Sequence, residues 1–180
     1  GPDFAGQADN AHHVVVARDV GPSAIVDGFT IRGGNATTAP IDQRNGGGIL
    51  VSNASPTLRN LTIERNRALW GGGLYVVGPS DLKALNCLFL GNSATSSGGA
   101  AAVLNAHADF MNCVMSGNFA AQGGALVSMQ SSPTILNTTI MGNHATGSGG
   151  GLRLLGETAT PLIANSILWG NTRTAAYIAD

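Results

Sequence analysis

The stretch NCLFLGNSATSSGG, residues 86–99, is the clearest copy of a pattern that returns throughout the chain. It places the apolar Phe89 three residues before Asn92 and ends in a glycine pair. This apolar-x-x-Asn motif ends at Asn66, Asn92, Asn118, Asn143 and Asn171, so its copies lie 26, 26, 25 and 28 residues apart. A period this regular indicates a solenoid of stacked repeats.

A second motif, a glycine cluster, keeps the same period. The clusters begin at residues 46, 71, 98, 123 and 149, which are 25, 27, 25 and 26 residues apart. Alternating apolar residues follow each cluster, as at Leu74 and Val76, and a period of two predicts a strand with alternate side chains inward. Proline opens another apolar stretch at Pro56, Pro133 and Pro161. Each period therefore predicts three short strands separated by turns.

These strands predict an all-β fold, a single-stranded parallel β-helix. A period of 25–28 residues fits one turn of such a helix, is too short for a propeller blade, and predicts about six rungs. Residues 1–2 are interpreted as the remnant of a removed tag, and residues 3–180 as a single β-helix domain that is part of a longer protein.

The composition excludes several classes of protein. Charged residues make up 11% of the 180 residues and the net charge is −1, so a nucleic-acid partner is not expected. No apolar run reaches the roughly 18 residues of a membrane-spanning helix, so no membrane span is expected. A hydrophobic content of 43% is too high for a disordered chain.

Asparagine recurs in two registers. The first register lies just before the strand that carries the apolar-x-x-Asn motif and comprises Asn60, Asn86, Asn112, Asn137 and Asn165. Gly28 holds this position in the first turn, and because Gly and Asn enter left-handed backbone most readily, the position predicts a sharp bend. The second register comprises Asn66, Asn92, Asn118, Asn143 and Asn171. At a strand spacing of roughly 4.8 Å, each register is expected to form a ladder of side-chain hydrogen bonds.

Two columns of side chains are expected to fill the interior. One comprises Phe29, Leu61, Cys87, Cys113, Thr138 and Ser166, and the other comprises Ile31, Ile63, Phe89, Met115, Ile140 and Leu168. The first column places Cys87 and Cys113 one turn apart. We favour two buried free thiols that pack as small apolar residues, and a disulfide between neighbouring turns stays open as the alternative.

The carboxylates do not form a recognisable catalytic site. Aligned by repeat, none lies directly above another, whereas glycan hydrolysis needs paired carboxylates on one face. Asp81, Lys83 and Asp109 come nearest to a cluster, and we interpret them as a solvated face. We therefore predict no catalytic residues, no cofactor and no metal site.

Outward positions change character along the chain. The first turns hold two aligned pairs of opposite charge, Asp27 with Arg59 and Arg32 with Glu64. Later turns hold a candidate interface formed by Leu85, Leu88, Leu90, Met111, Val114, Leu136, Met141, Ile167 and Trp169. Contiguous exposed apolar surface is typical of an interaction site.

Several partners fit such an apolar surface. Flanking domains of the parent chain, or a protein or glycan at the cell surface, are the expected partners. Self-association through the apolar face, or through an uncapped last rung near Tyr177 and Ile178, is the other possibility.

The repeat phrases resemble those of known proteins. The Gly-Gly-[Ala/Leu/Ile] and Phe-x-x-Asn pair resembles the repeats of polymorphic outer membrane proteins, and residues 89–92 match the second motif strictly. Residues 26–35 (VDGFTIRGGN), 131–134 (SSPT) and 165–171 (NSILWGN) are similar to repeats of secreted bacterial right-handed β-helix proteins, including those with a choice-of-anchor sorting region. The resemblance covers about residues 12–171.

The resemblance implies a right-handed β-helix that is secreted or displayed on a bacterial cell surface. Some related β-helices are polysaccharide lyases or glycoside hydrolases, and others are adhesins or passengers. Because the carboxylates are scattered, we expect a non-catalytic structural or adhesive module. A carbohydrate-active β-helix that acts on or binds an extracellular glycan is the alternative, and a self-assembling module is the second alternative.

Overall fold

The structure is a computed structural model, and it describes residues 10–157, 159–172 and 176–179. The expected tag remnant at residues 1–2 lies outside this range. The described chain coils into a solenoid of four parallel sheets, numbered I to IV in the order in which the chain meets them. A short 3-10 turn at Ile41–Gln43 interrupts the strands in the first turn.

Successive strands of each sheet come from successive turns. Sheet I consists of β1 (Val15–Arg18), β4 (Ile49–Ser52), β8 (Leu74–Val77), β12 (Ala101–Leu104), β16 (Leu126–Met129), β20 (Leu152–Leu155) and β23 (Ala176–Ala179). Sheet II consists of β2 (Ile25–Asp27), β5 (Thr57–Arg59), β9 (Asp81–Leu85), β13 (His107–Met111), β17 (Thr134–Leu136) and β21 (Leu162–Ala164). Sheet III consists of β3 (Thr30–Arg32), β6 (Thr62–Glu64), β10 (Leu88–Leu90), β14 (Val114–Ser116), β18 (Thr139–Met141) and β22 (Ile167–Trp169). Sheet IV consists of β7 (Arg67–Trp70), β11 (Ser93–Ser97), β15 (Phe119–Gln122) and β19 (His144–Ser148).

This architecture confirms the expected all-β parallel β-helix. The six strands of sheets II and III are separated by five revolutions of the chain, so the solenoid has about five turns. The N-terminal strand pairs on the first rung, where Val15 of β1 lies opposite Ile49 of β4. Parallel pairing throughout lets each side chain stack on its counterpart one turn away.

Sheet IV was not anticipated. The prediction of three strands per turn is wrong for the middle turns, which carry a fourth strand between sheets III and I. The inward residues of this strand are Ala68, Ala94, Ala120 and Ala145, all buried. Alanine beside small polar residues gives a weak alternation signal, so the period of two did not stand out in the sequence.

The interior is filled by columns of apolar side chains. The column of Ile31, Ile63, Phe89, Met115 and Ile140 is buried as expected. Phe89 also meets Phe110 of sheet II edge to face, with ring centroids 6.0 Å apart, which ties two sheets together across the core.

One expected core position is wrong. Phe29 does not join the column below Leu61, because its side chain is 64% exposed. It directly precedes β3, which is the outermost strand of sheet III, so the stack of neighbouring turns lies on one side of it only. Leu61 and Cys87, further inside the same column, are fully buried.

The glycine clusters mark close contact between turns. Gly71 has a φ of +61°, which turns the chain sharply from sheet IV into sheet I. Gly72 lies so close to the next turn that a Cβ there would stand 2.3 Å from the backbone oxygen of Ser93. The repeat therefore needs glycine at this corner for lack of space as well as for backbone conformation.

Candidate functional site

The second asparagine register forms a continuous buried ladder, here called the inner ladder and comprising Asn66, Asn92, Asn118, Asn143 and Asn171. Nδ2 of each of the first four members donates to Oδ1 of the next asparagine, as from Asn118 to Asn143 at 2.9 Å. The same Nδ2 donates to a backbone carbonyl of the preceding turn, here Phe89 at 2.9 Å. Oδ1 of each of the last four members also accepts the backbone N–H of the asparagine one turn before it, as Asn143 does from Asn118. This network confirms the expected ladder and satisfies polar groups at a buried corner.

The first register forms the outer ladder, comprising Asn60, Asn86, Asn112, Asn137 and Asn165. Its members have φ values of 49–54°, which confirms the expected left-handed bend between sheets II and III. Nδ2 of Asn86 donates to Oδ1 of Asn60 at 3.3 Å, and Asn137 donates to Asn112 at the same distance. These hydrogen bonds are exposed, so backbone conformation, more than hydrogen bonding, explains asparagine at this corner.

The candidate interface lies on the outer faces of sheets II and III, on both sides of the outer ladder. We call this surface the apolar band; it comprises Leu85, Leu88, Leu90, Met111, Val114, Leu136, Met141, Ile167 and Trp169. Strand register places Leu85, Met111 and Leu136 in one column at the end of sheet II. The structure therefore brings these side chains onto one continuous face, in the register that the repeat alignment predicted.

Exposure in the apolar band rises toward the last turns. Leu88 and Met141 are 38% and 40% exposed, whereas Ile167 and Trp169 are 60% and 70% exposed. The remaining members are half-buried by their neighbours on the sheet. Large apolar side chains with this exposure are stabilised when a partner covers them.

The opposite end of the same face is charged. Arg59 contacts Asp27 at 2.9 Å, and Arg32 contacts Glu64 at 3.6 Å, which confirms both expected pairs. A hydrogen bond from Asn60, together with Arg59, lowers the pKa of the Asp27 carboxyl. The pairs are exposed, so their effect is chiefly on register. Along the solenoid axis, the outer face of sheets II and III therefore changes from paired charges in the first turns to apolar side chains in the last.

The acidic residues of sheet II do not converge. Strand register sets Asp109 opposite Lys83 and His107 opposite Asp81, so the two aspartates are offset by two positions, as the sequence predicted. Asp109 contacts His107 of its own strand at 2.9 Å. Within the part of the chain that the structure describes, no group of three His, Cys, Asp or Glu side chains could hold a metal ion.

The outer side of sheet I carries a second apolar cluster that the sequence analysis missed. Leu50, Tyr75, Ala102 and Val127 point outward and yet are at most 8% exposed. Trp70, Val77, Leu104 and Met129 pack against them from either side. The glycine corner lies close to this column, since a Cβ added at Gly98 would stand 2.9 Å from the Cβ of Ala102. Burial raises the pKa of the Tyr75 hydroxyl accordingly.

Both cysteines are free and buried, as favoured. Sγ of Cys87 donates to the carbonyl of Leu85 at 3.3 Å, and Cys113 donates to Met111 at the same distance. Thr138 follows them in the column, and its hydroxyl donates to the carbonyl of Leu136, two residues back, at 2.9 Å. Thiol and hydroxyl groups therefore occupy equivalent positions, and each is satisfied by the backbone.

Stacked parallel sheets and a buried asparagine ladder define a parallel β-helix repeat protein. A family model described as "right handed beta helix region" matches residues 9–180, and the chain belongs to this family. Comparisons with curated proteins and with solved structures found no match. Among the described residues, no helix has the length and apolar character needed to cross a membrane.

Proposed function

We propose that this β-helix is a non-catalytic binding module of an exported bacterial surface protein, and that it binds through the apolar band. The carrying observation is the exposure of Ile167 and Trp169, at 60% and 70%, at the apolar end of a face whose other end is charged. The likeness of its repeats to those of secreted bacterial β-helix proteins supports the surface location. The partner is a protein surface, because flat apolar patches flanked by charge suit protein contacts.

The arrangement of acids supports a role in binding in preference to glycan cleavage. Acid–base cleavage of a glycan needs two carboxylates facing one substrate bond. In sheet II, Asp109 is held by His107 and lies opposite Lys83, while Asp81 sits two positions away. The covered column on sheet I leaves no acidic groove there, since its residues are Leu50, Tyr75, Ala102 and Val127.

The apolar band can be tested by binding of the labelled chain to intact cells. Ile167→Ser and Trp169→Ser remove the two most exposed members, and both sit at the rim of the solenoid, where substitution disturbs packing least. Val16→Ser is the matched control, because Val16 is 51% exposed on sheet I, away from the apolar band. We expect the control to bind like the unaltered chain and the double variant to lose most binding.

Two outcomes would overturn this proposal. Equal binding by the double variant and the control would remove the apolar band as the binding surface. New reducing ends or unsaturated products in a glycan panel, released by the purified chain, would show catalysis. Sedimentation analysis tests self-association. A dimer formed by the unaltered chain and lost in the double variant would identify a second copy of the chain as the partner.

A further inference from the structure

The apolar band contains a side chain that oxidants convert from apolar to polar. Met141 of β18 carries a thioether and is 40% exposed on the outer face of sheet III. Strand register places it between Ser116 of the preceding turn and Trp169 of the next turn. Because the serine side chain is short, it covers little of Met141, and that flank of the thioether stays open to solvent.

The chain has four methionines, and the other three are better protected. Met115 points into the core and is fully buried. Met111 is half-buried between two leucines of its column on sheet II. Met129 is half-buried where it packs against the apolar cluster on the outer side of sheet I. An oxidant dissolved in water therefore reaches Met141 before the other three.

The reaction at Met141 is a two-electron oxidation by a hydroperoxide, for which hydrogen peroxide is the simplest reagent. A lone pair of the sulfur attacks one peroxide oxygen, and an S–O bond forms as the O–O bond breaks. The second oxygen leaves as hydroxide and takes the proton from the sulfur-bound oxygen, so the products are one sulfoxide and one water. The sulfur loses two electrons and the peroxide gains them. Methionine sulfoxide is reducible by dedicated enzymes, so the change is reversible.

The position of Met141 separates an effect on the surface from an effect on the fold. Its neighbour Ile140 is buried in the core column, whereas Met141 itself points outward. A sulfoxide at this position stays hydrated in the free protein, so the core keeps its packing. When a partner covers the apolar band, the same oxygen loses its water beside the apolar ring of Trp169. A polar group buried without a hydrogen-bond partner opposes binding.

We propose that Met141 is a modification site, at which oxidation to the sulfoxide releases the partner of the apolar band. The modification itself follows from the exposure of Met141, whereas the release of a partner rests on the proposed function. Binding through the apolar band then depends on the hydroperoxides around the protein.

Peptide mapping by mass spectrometry, after graded exposure to hydrogen peroxide, tests the modification site. We expect Met141 to be oxidised first, severalfold faster than Met111 and Met129, and Met115 to react once urea unfolds the chain. The circular dichroism spectrum should stay unchanged when Met141 alone is oxidised. Oxidation of another methionine as fast as Met141 would overturn the site. Loss of the β-sheet spectrum at that stage would make Met141 part of the fold and overturn its role at the surface.

Two measurements test the effect on the apolar band, each before and after peroxide treatment. Retention on a phenyl column reports exposed apolar surface without a partner, and binding of the labelled chain to intact cells reports the interaction. We expect oxidation of the unaltered chain to shorten retention and to weaken cell binding at least about fivefold. Met141→Leu should show no response to peroxide in either measurement. Met129→Leu is the matched control, because it removes a methionine outside the apolar band and should respond as the unaltered chain does.

Failure of this proposal and failure of the proposed function give different results. If the Ile167→Ser, Trp169→Ser double variant loses cell binding but oxidation does not weaken it, the apolar band stands and regulation through Met141 is wrong. If the double variant binds like the unaltered chain, release of a partner falls with the proposed function, while the order of oxidation still decides the modification site. A response to peroxide that persists in Met141→Leu would assign the effect to another residue and overturn the proposal.

Discussion

The side-chain Nδ2 of Asn92 donates to Oδ1 of Asn118 at 3.1 Å, and the backbone N–H of Asn92 donates to the same oxygen at 2.9 Å. One asparagine oxygen thus satisfies two donors of the neighbouring turn. Because the repeat continues this pattern along the corner between sheets III and IV, each member of the inner ladder depends on the next one for its hydrogen bonds.

Asn118→Ala is therefore expected to destabilise the solenoid. The substitution removes the acceptor of the Asn92 backbone N–H and of one of its two Nδ2 hydrogens, and it removes a donor to the carbonyl of Phe89, all in a buried corner. Unsatisfied buried groups cost about 1–3 kcal/mol each, so the free energy of unfolding should fall by about 2–4 kcal/mol. Urea denaturation followed by circular dichroism measures the change. A loss below about 0.5 kcal/mol would contradict a structural role for the inner ladder.

The outer ladder should respond differently to substitution. Asn112 has a φ of 54° and makes an exposed hydrogen bond, so its backbone conformation matters most. Asn112→Gly should cost about 1 kcal/mol or less, because glycine enters this conformation freely. Asn112→Val should cost about 1–2 kcal/mol more, since a branched residue is strained there. Equal urea midpoints for the two variants would contradict this assignment.

The two ladders show which features the sequence could predict. Their asparagines and the glycine clusters recur as the same residue at one period, so both registers and the strands beside them were recognisable. The strands of sheet IV were not predicted because their inward residues are alanines, which give a weak alternation of apolar and polar residues. Phe29 was misplaced because the repeat alignment carries no information about where the stack of turns ends.

The covered column on sheet I and the stacked rings of Phe119 and His144 on sheet IV could not be predicted from the sequence for a different reason. Alternation assigns Tyr75 to the outer face correctly, but it does not show that Trp70 and the glycine corner lie against that face. The contact between Phe119 and His144 likewise depends on the rotamers of two side chains in different turns. The apolar band was predictable because each member is large, apolar and outward in its own repeat.

Gly72→Ala is expected to be among the most damaging small substitutions. A Cβ would lie 2.3 Å from the oxygen of Ser93 and 2.7 Å from the oxygen of Gly99, both of them backbone atoms that cannot move alone. Forced overpacking of this kind costs about 1–3 kcal/mol or more. Gly21→Ala is the control, since nothing lies within 4 Å of its added Cβ. Similar melting temperatures for the two variants would show that the turns are less tightly stacked at this corner.

Both thiols should be unreactive in the folded protein. Cys87 and Cys113 are at most 1% exposed, so a reagent in solution does not reach either sulfur, and for Cys113 the neighbouring Cys87 thiol together with burial also raises the pKa. Because the thiolate is the nucleophile, a thiol-specific chromogenic reagent should label neither residue until denaturant is added, and then label both. Absence of labelling in denaturant without reductant would instead reveal a disulfide between the turns.

Tyr75 should titrate above the ordinary range for tyrosine. Burial at 7% exposure disfavours the charged phenolate and raises the pKa of Tyr75 above its usual value of 10.0. The folded-state pKa then exceeds the unfolded one, so this contribution to stability is full below the unfolded pKa and is lost as the pH rises through the folded pKa.

Ultraviolet absorbance of tyrosinate measures this titration, in a Tyr177→Phe background that leaves Tyr75 as the remaining tyrosine of the two. We expect a midpoint above that of the denatured chain, accompanied by a fall in stability at the same alkaline pH. Tyr75→Phe should remove that fall while keeping the cluster packed, because phenylalanine keeps the ring that belongs to the apolar cluster and loses the hydroxyl. A midpoint equal to that of the denatured chain would mean that Tyr75 is not buried in the column on sheet I.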